Sequence, residues 1–444
     1  MKNFGIETLL AGSGQALYKR ACQLIPGGTQ LLSKRPEMFA PDVWPAYYSR
    51  AKGSRVWDID DNEYLDMSIM GIGANVLGYA DEDVDEAVVN AIGRGVSSSL
   101  NCPEEVELAE LLMELHPWAG MVRYTRSGGE AMAVAIRIAR ASTKRDVVLF
   151  SGYHGWSDWY LAANLGDKDG LDGQLMPGLE PNGVPRSLSG TALPFHFNDI
   201  ENLRSVIKGR ETKIAAIVVE PARGEEAPKE YLNLLKEIAF EIGAVLIFDE
   251  ITSGFRMVPG GIHLRYGINP DIAVYAKSMA NGYAMAAVIG TETVMQSAQT
   301  TFISSTNWTE RIGPVASVAT IRKYIKNEVA AHIISVGNQV KAIWREKAEK
   351  HGIGVAITGL PTLGAFAFQH EKAQTFNTFY TIEMLQRGVL GFRQFKPSFA
   401  HTSADVEFYG DVVDDVFKLI SQTDPDEMLQ TQAAHTGFMR LTKE

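Results

Sequence analysis

The sequence predicts an α/β protein, with a large three-layer α/β/α domain around a mainly parallel sheet and a smaller α+β domain after it. Three observations predict this class. Apolar runs at 147–150, 214–219, 244–248 and 272–275 have the composition of strands covered on both faces. Helical patterns fill the intervals between them, and this alternation is the signature of βαβ units. The length of 444 residues exceeds one compact core and suits a large domain beside a smaller one.

Taken in order, strand-rich and helical segments alternate from about Ser68 to Tyr275. Between 130 and 142, Ala, Met and Ile recur at helical spacing, and 231–242 carries leucines and isoleucines at i, i+3 and i+4. From about Pro314 the pattern changes. A long helical stretch over 315–350 leads into Gly364-Ala-Phe-Ala-Phe368, then a helix over 375–387 and a final amphipathic helix over 405–420. The expected organisation is an N-terminal segment, 1–66, packing with the small domain, a large domain over 67–311, and a small domain over 312–444. The stretch 166–190 is dense in Gly, Pro, Asp and Asn and too long for an ordinary connection, which predicts a lid or binding loop.

Composition narrows the function. With 45% hydrophobic and 21% charged residues the chain is globular, and a net charge of -11 argues against nucleic acid as a partner, because such a surface repels phosphates. Cys22 and Cys102 are the only cysteines, so neither a disulfide framework nor a metal-ligand spacing is expected. The start, Met1-Lys-Asn-Phe-Gly-Ile-Glu, lacks the pattern of a secretory signal, and no window approaches the ~18 apolar residues of a membrane span. A cytoplasmic protein with no membrane partner is the expectation.

Each apolar run ends in polar chemistry: Tyr153-His154-Gly155, Glu220-Pro221, Asp249-Glu250 and Lys277. These groups fall at the carboxyl ends of the strands, where open α/β sheets bind ligands. Ser127-Gly128-Gly129 forms a turn directly before a helix, where unpaired N–H groups and the helix dipole favour an anion and the glycines allow close approach. An amine and a carboxylate at the ends of two buried strands suit pyridoxal 5'-phosphate (PLP). That cofactor needs a lysine to hold its aldehyde as a Schiff base and an aspartate to keep the pyridine nitrogen protonated. Tyr153 offers an aromatic face to the ring. Singly, each residue has a plainer reading: a strand-end lysine, a turn acid, a Gly-Gly turn, a core tyrosine, a structural histidine.

The ordered set is more specific. Ser127-Gly128-Gly129-Glu130-Ala131, Tyr153-His154-Gly155-Trp156, Val219-Glu220-Pro221, Asp249-Glu250-Ile251-Thr-Ser-Gly254-Phe255-Arg256 and Ala276-Lys277 resembles the class-III PLP-dependent aminotransferases of fold type I. The chain is most similar to the branch containing glutamate-1-semialdehyde 2,1-aminomutase. The likeness runs from Ile25-Pro-Gly-Gly28 to Ala400-His401-Thr402. It implies that Lys277 is the Schiff-base lysine and Asp249 the partner of the pyridine nitrogen. Tyr153 and Ile251 would cover the two ring faces, Ser127, Gly128 and Gly129 would hold the phosphate, and His154 and Glu220 would complete the cofactor site. Gly129 departs from the family pattern, which commonly has Ser or Thr there, so a hydroxyl contact is missing and weaker PLP affinity is expected. The likeness also implies a homodimer with a shared active site, in which a threonine of the neighbouring subunit reaches the phosphate. The spacing to Pro314 favours Thr309, with Ser305 and Thr306 also open.

The reaction implied is ping-pong transamination from an amino donor to an aldehyde or keto acceptor. Intramolecular amino transfer of the aminomutase kind is the alternative, supported by Pro181-Asn-Gly183-Val184-Pro185 but opposed by Ile72, where the mutase carries tryptophan, and by the stretch 306–311. Racemisation and a non-catalytic relative of the fold complete the alternatives. A nucleotide-binding dehydrogenase is disfavoured because Ser127-Gly-Gly-Glu lacks the Gly-x-Gly-x-x-Gly fingerprint. Lys34, Arg35 and Arg393 are the candidates for a substrate carboxylate.

Overall fold

The computed structural model describes residues 4–166, 170–174, 178–222 and 224–436. In chain order the strands are β1 Tyr48–Lys52, β2 Arg55–Asp58, β3 Glu63–Met67, β4 Met121–Thr125, β5 Val147–Ser151, β6 Ala192–Pro194, β7 Ile214–Val219, β8 Val245–Asp249, β9 Ile272–Tyr275, β10 Ala286–Gly290, β11 Val355–Thr358, β12 Gly364–Phe368, β13 Val389–Gly391 and β14 Gln394–Phe395. The chain divides into two compact units, one spanning 82–330 and the other joining 1–81 to 331–444.

The unit of 82–330 carries a seven-stranded sheet in the order β4-β10-β9-β8-β7-β5-β6. Strands β6, β5, β7, β8 and β9 pair in parallel, while β10 runs antiparallel to both β9 and β4. Six strands therefore point one way, and the carboxyl ends of β4, β5, β7, β8 and β9 share one edge. Because strand side chains alternate with period two, each inner strand feeds two cores. Val148, Phe150, Ala216, Val218, Val245 and Ile247 face one layer with the helix Gly128–Thr143. Val147, Leu149, Ile217, Val219, Leu246 and Phe248 face the other layer with the helix Lys229–Ile242. The α/β/α expectation is met, and the same alternation turns Asp249 toward the first layer and Glu250 toward the second.

The helix Gly128–Thr143 starts where the Glu130 carboxylate turns back to accept the backbone N–H groups of Arg126 and Ser127, each at 3.0 Å. Ala131, Met132, Val134, Ala135, Ile136, Ile138 and Ala139 are buried along its sheet face, and each fully buried isoleucine stabilises the fold by about 1.5–3 kcal/mol. It ends at Lys144, which takes a left-handed conformation (φ 58°) and closes the last turn onto the Arg140 carbonyl.

Two boundaries differ from the sequence expectation. The contacts divide the chain at 81/82 and 330/331, whereas the sequence places the borders at 66/67 and 311/312. Residues 67–81 stay with the unit that joins 1–81 to 331–444, because Gly53 and Tyr79 exchange both backbone hydrogen bonds at 2.8 Å. The long helix expected over 315–350 is two helices, Ile312–Lys326 and Val329–Lys350, separated where Glu328 adopts φ 50°. The first of these packs on Glu82–Ile92 and Glu104–Leu115, which assigns it to the sheet-bearing unit. Of the stretch 166–190 expected to form a loop, residues 167–169 and 175–177 lie outside the described residues.

The other unit holds the sheet β1-β2-β3-β13 and the sheet β11-β12-β14. Its core gathers Leu65, Met67, Trp344, Phe366, Tyr380, Tyr409 and Phe417, with Trp344 Nε1 donating to the Tyr409 hydroxyl at 2.8 Å. The helix Ser403–Gln422 is capped reciprocally by Thr402 and Asp405, and Asp405 also pairs with Arg55 at 2.8 Å. Among the described residues no helix is long and apolar enough to cross a membrane.

Candidate active site

The strand ends of the sheet-bearing unit converge on a cluster of buried polar groups. Asp249 closes β8 and is 2% exposed. Its Oδ2 accepts the Nδ1–H of His154 at 2.8 Å, and its Oδ1 accepts the backbone N–H of Ile251 at 3.1 Å. The Nε2 of His154 meets the Ser151 carbonyl at 3.1 Å, so both ring nitrogens face oxygen acceptors and the ring is locked in place. Glu220, just past β7, accepts the backbone N–H of Tyr153 at 3.1 Å and ties the turn after β5 to the neighbouring strand.

Lys277 follows β9, the neighbour of β8, and Asp249 is in register with Val274 of that strand. The chain turns sharply here. Lys277 opens a 3-10 turn, Lys277–Ala280, with φ 47°, a left-handed conformation that costs a residue with a Cβ roughly 1–2 kcal/mol. Strain of this kind persists where surrounding structure enforces it, commonly at functional sites. The Nζ of Lys277 donates to Thr252 Oγ1 at 2.8 Å, in the turn that Asp249 begins.

The start of the helix Gly128–Thr143 lies beside this pair. A Cβ built on Gly128 would stand 3.0 Å from Ile251 Cδ1, and one on Gly129 would stand 2.8 Å from Trp156 Nε1. A side chain at either position would require Ile251 or Trp156 to shift, and these two residues bound a cradle at the first amides of the helix. Tyr153 and Ile251 both pack on the core layer beneath this helix. The Ser127 hydroxyl faces Glu130 Oε2 at 3.2 Å. Thr306 and Thr309 belong to a 3-10 turn, Thr306–Thr309, with Thr309 Oγ1 donating to the Thr306 carbonyl at 3.0 Å. Arg126 fastens this segment by donating to the carbonyls of Trp308 and Glu310 at 3.0 and 2.8 Å.

On the opposite face of the sheet, Glu250 is fully buried and accepts both the backbone N–H and the Nδ1–H of His263, at 3.1 and 2.8 Å. Trp118 Nε1 donates to His263 Nε2 at 3.1 Å. Next to it, His116 donates from Nδ1 to the Leu112 carbonyl and receives the Tyr275 hydroxyl at Nε2, at 2.8 and 2.9 Å. Burial pushes the His116 imidazole down to about 4, partly opposed by the bond to Leu112. This network anchors the strand end that carries Asp249.

The structure thus brings together Asp249, His154, Ile251, Tyr153, Glu220, Gly128, Gly129 and Lys277. Lys34, Arg35 and Arg393 lie in the other unit, where Lys34 ends a short 3-10 turn and Arg35 packs its guanidinium against Gly27, which has φ 75°. Arg393 follows β13, and its carbonyl accepts the Phe366 N–H at 2.9 Å. Thr252 and Trp156 stand inside the motifs quoted above, but only the fold brings the one to the Lys277 amine and the other to Gly129.

The model of the aminotransferase class-III family matches residues 38–406. The chain belongs to the class-III aminotransferases. It is 32% identical over 394 residues to the 3-aminobutyryl-CoA aminotransferase of Cloacimonas acidaminovorans (strain Evry), covering 86% of this chain and 91% of that protein. It is 30% identical over 433 residues to the glutamate-1-semialdehyde 2,1-aminomutase of Clostridium novyi (strain NT), covering 89% and 95%. Among solved structures, an omega-transaminase from Sphaerobacter thermophilus superposes with a TM-score of 0.81 at 26% identity, covering 93% and 98%. This class-III aminotransferase has the fold type I architecture, and its cofactor is PLP. The residues present fit that group: a buried, hydrogen-bonded carboxylate, an amine on the adjoining strand end, and a helix whose first two residues are glycines.

Proposed function

We propose that Lys277 and Asp249 are the groups through which this aminotransferase holds and uses PLP, and that the enzyme moves an amino group from an amino donor to an aldehyde or keto acceptor in two half-reactions. When bound, PLP supplies an aldehyde carbon that takes a primary amine and a ring that withdraws electrons from it. The observation that carries the reading is the placement of Lys277 and Asp249 on neighbouring strand ends, with Thr252 linking the amine to the turn that starts at the acid.

In this reading the Lys277 amine anchors the cofactor and, once an amino donor displaces it, takes and returns the proton at the substrate carbon. Thr252 Oγ1 accepts from Nζ and aims it. Asp249 Oδ1 and Oδ2 are held by Ile251 and His154, so the carboxylate keeps one orientation toward the pyridine N–H. Ile251 and Tyr153 enclose the ring, and Glu220 fixes Tyr153 through its backbone. The amides of Gly128 and Gly129, with the positive end of the helix dipole, receive the phosphate. Ser127 contributes through the Glu130 bond that shapes this turn.

A cytoplasmic homodimer with a shared site is part of the proposal: a hydroxyl from Ser305, Thr306 or Thr309 of a second copy would add to the phosphate contacts. Lys34, Arg35 and Arg393 are the proposed partners of a substrate carboxylate. The test is a donor and acceptor screen read by the visible band of the bound cofactor. A donor alone should bleach the band, and an oxo acceptor alone should then restore it. A band that responds only when both are present contradicts two separate half-reactions. Glutamate 1-semialdehyde belongs in the screen, because its conversion to 5-aminolevulinate without a second substrate would establish the aminomutase alternative.

A further inference from the structure

We propose that the indole N–H of Trp156 is a side-chain donor to the PLP phosphate, supplying the contact that no hydroxyl at the start of the helix Gly128–Thr143 provides. The inference rests on the PLP reading above and concerns how this chain holds the cofactor's anionic end.

The hydroxyls around the cradle are committed elsewhere. Ser127 Oγ faces Glu130 Oε2 at 3.2 Å, and Thr125 Oγ1 donates to the Ser127 carbonyl at 3.1 Å. Gly128 and Gly129 offer only backbone amides. Trp156 lies over that gap with its polar edge inward: the Cβ that Gly129 lacks would meet Nε1 at 2.8 Å and Cδ1 at 3.1 Å, closer than any other atom. A serine hydroxyl at 129 would project into the space that this N–H edge holds. The backbone on either side is pressed onto the helix start, since a Cβ on Gly155 would stand 3.1 Å from Gly129 Cα and Ser157 Oγ approaches the Gly129 carbonyl at 3.5 Å.

Core packing does not account for this placement. Trp156 is 69% exposed, whereas Trp159, three residues on, is 6% exposed and fills the core layer. Among the described residues no acceptor takes the Trp156 N–H. Indole nitrogen is a donor only, and its natural partner at a helix start is an anion. A hydrogen bond to a charged oxygen is worth about tenfold to a hundredfold in affinity. Gly129 and Trp156 are then complementary: the small residue makes room, and the indole provides the donor.

The experiment compares PLP with pyridoxal, which lacks the phosphate, by equilibrium titration of the cofactor-free protein. Wild type should bind PLP far more tightly than pyridoxal. W156F, which keeps an aromatic ring and removes the N–H, should bind PLP about tenfold more weakly and pyridoxal unchanged. W156A should show the same loss, and G129S/W156A should regain most of it, because the vacated space admits a hydroxyl. G129S alone should weaken PLP, its Cβ meeting the indole. Equal PLP affinity in W156F overturns the proposal, as does an equal loss for both ligands, which would mark ring packing instead of a phosphate contact. Wild type that captures neither ligand would overturn the cofactor reading itself, and this result is distinct from either of those.

Discussion

The Nδ1–H of His154, at the end of β5, donates to Asp249 Oδ2, at the end of β8, across 2.8 Å, and the two strands are separated in the sheet by β7. Both side chains are almost entirely buried, so this bond joins two strand ends and fixes a carboxylate that has no water to turn to. His154→Phe removes the donor and leaves the acid with the Ile251 amide alone. Loss of a hydrogen bond to a buried charge costs about 1.5–3 kcal/mol, so the variant should unfold at lower temperature and bind PLP more weakly. Unchanged melting would show that the pair contributes nothing.

Asp249→Asn is nearly isosteric and should leave the fold intact while removing the negative charge. The donor half-reaction, followed in a single turnover, should slow by about a hundredfold or more, the scale of losing a preorganised electrostatic partner. A rate within a factor of two of wild type would place the activating charge elsewhere.

Lys277 combines a proposed chemical role with a left-handed backbone, and two variants separate them. Lys277→Ala and Lys277→Gly should both lose turnover. The glycine variant should be the more stable by roughly 1 kcal/mol in denaturant unfolding, because φ 47° suits a residue without a Cβ. Equal stability would mean that the turn relaxes once the long side chain is gone.

His116 predicts a pH dependence. Its imidazole titrates near 6.5 when unfolded and at about 4 in the folded protein, where burial disfavours the charge. Between these values the unfolded state binds the extra proton. The contribution of the neutral, buried ring is therefore complete above about pH 6.5 and is lost progressively as pH falls toward 4, reaching on the order of 3 kcal/mol. His116→Gln keeps an acceptor for the Tyr275 hydroxyl and removes the titration. The stability advantage of wild type over this variant should shrink as pH drops from 7 to 4, measured by denaturant unfolding at each pH. A constant difference would contradict the assignment.

Much of this is legible in the sequence. The strands β5, β7, β8 and β9 are apolar throughout because helices cover both faces, and that burial writes an uninterrupted signal into the sequence. Asp249 and Lys277 stood out for the same reason, as charges terminating such runs. The reversed strand β10 carries no sequence mark of its direction, since its residues are as apolar as its neighbours. Its direction follows from the short connection after β9, as parallel pairing needs a crossover of about a dozen residues or more. The helix break at Glu328 and the unit border at 81/82 depend on a backbone dihedral and on contacts remote in sequence. Trp156 was hidden for a similar reason: its motif places it shortly after β5, but only the fold turns its nitrogen onto Gly129.

Borohydride reduction of the PLP-loaded protein, followed by digestion and mass spectrometry, locates the residue that carries the pyridoxyl group. The added mass is expected on the peptide containing Lys277, at that residue. Modification of a different lysine, or no stable modification of a protein that is visibly loaded, would contradict it.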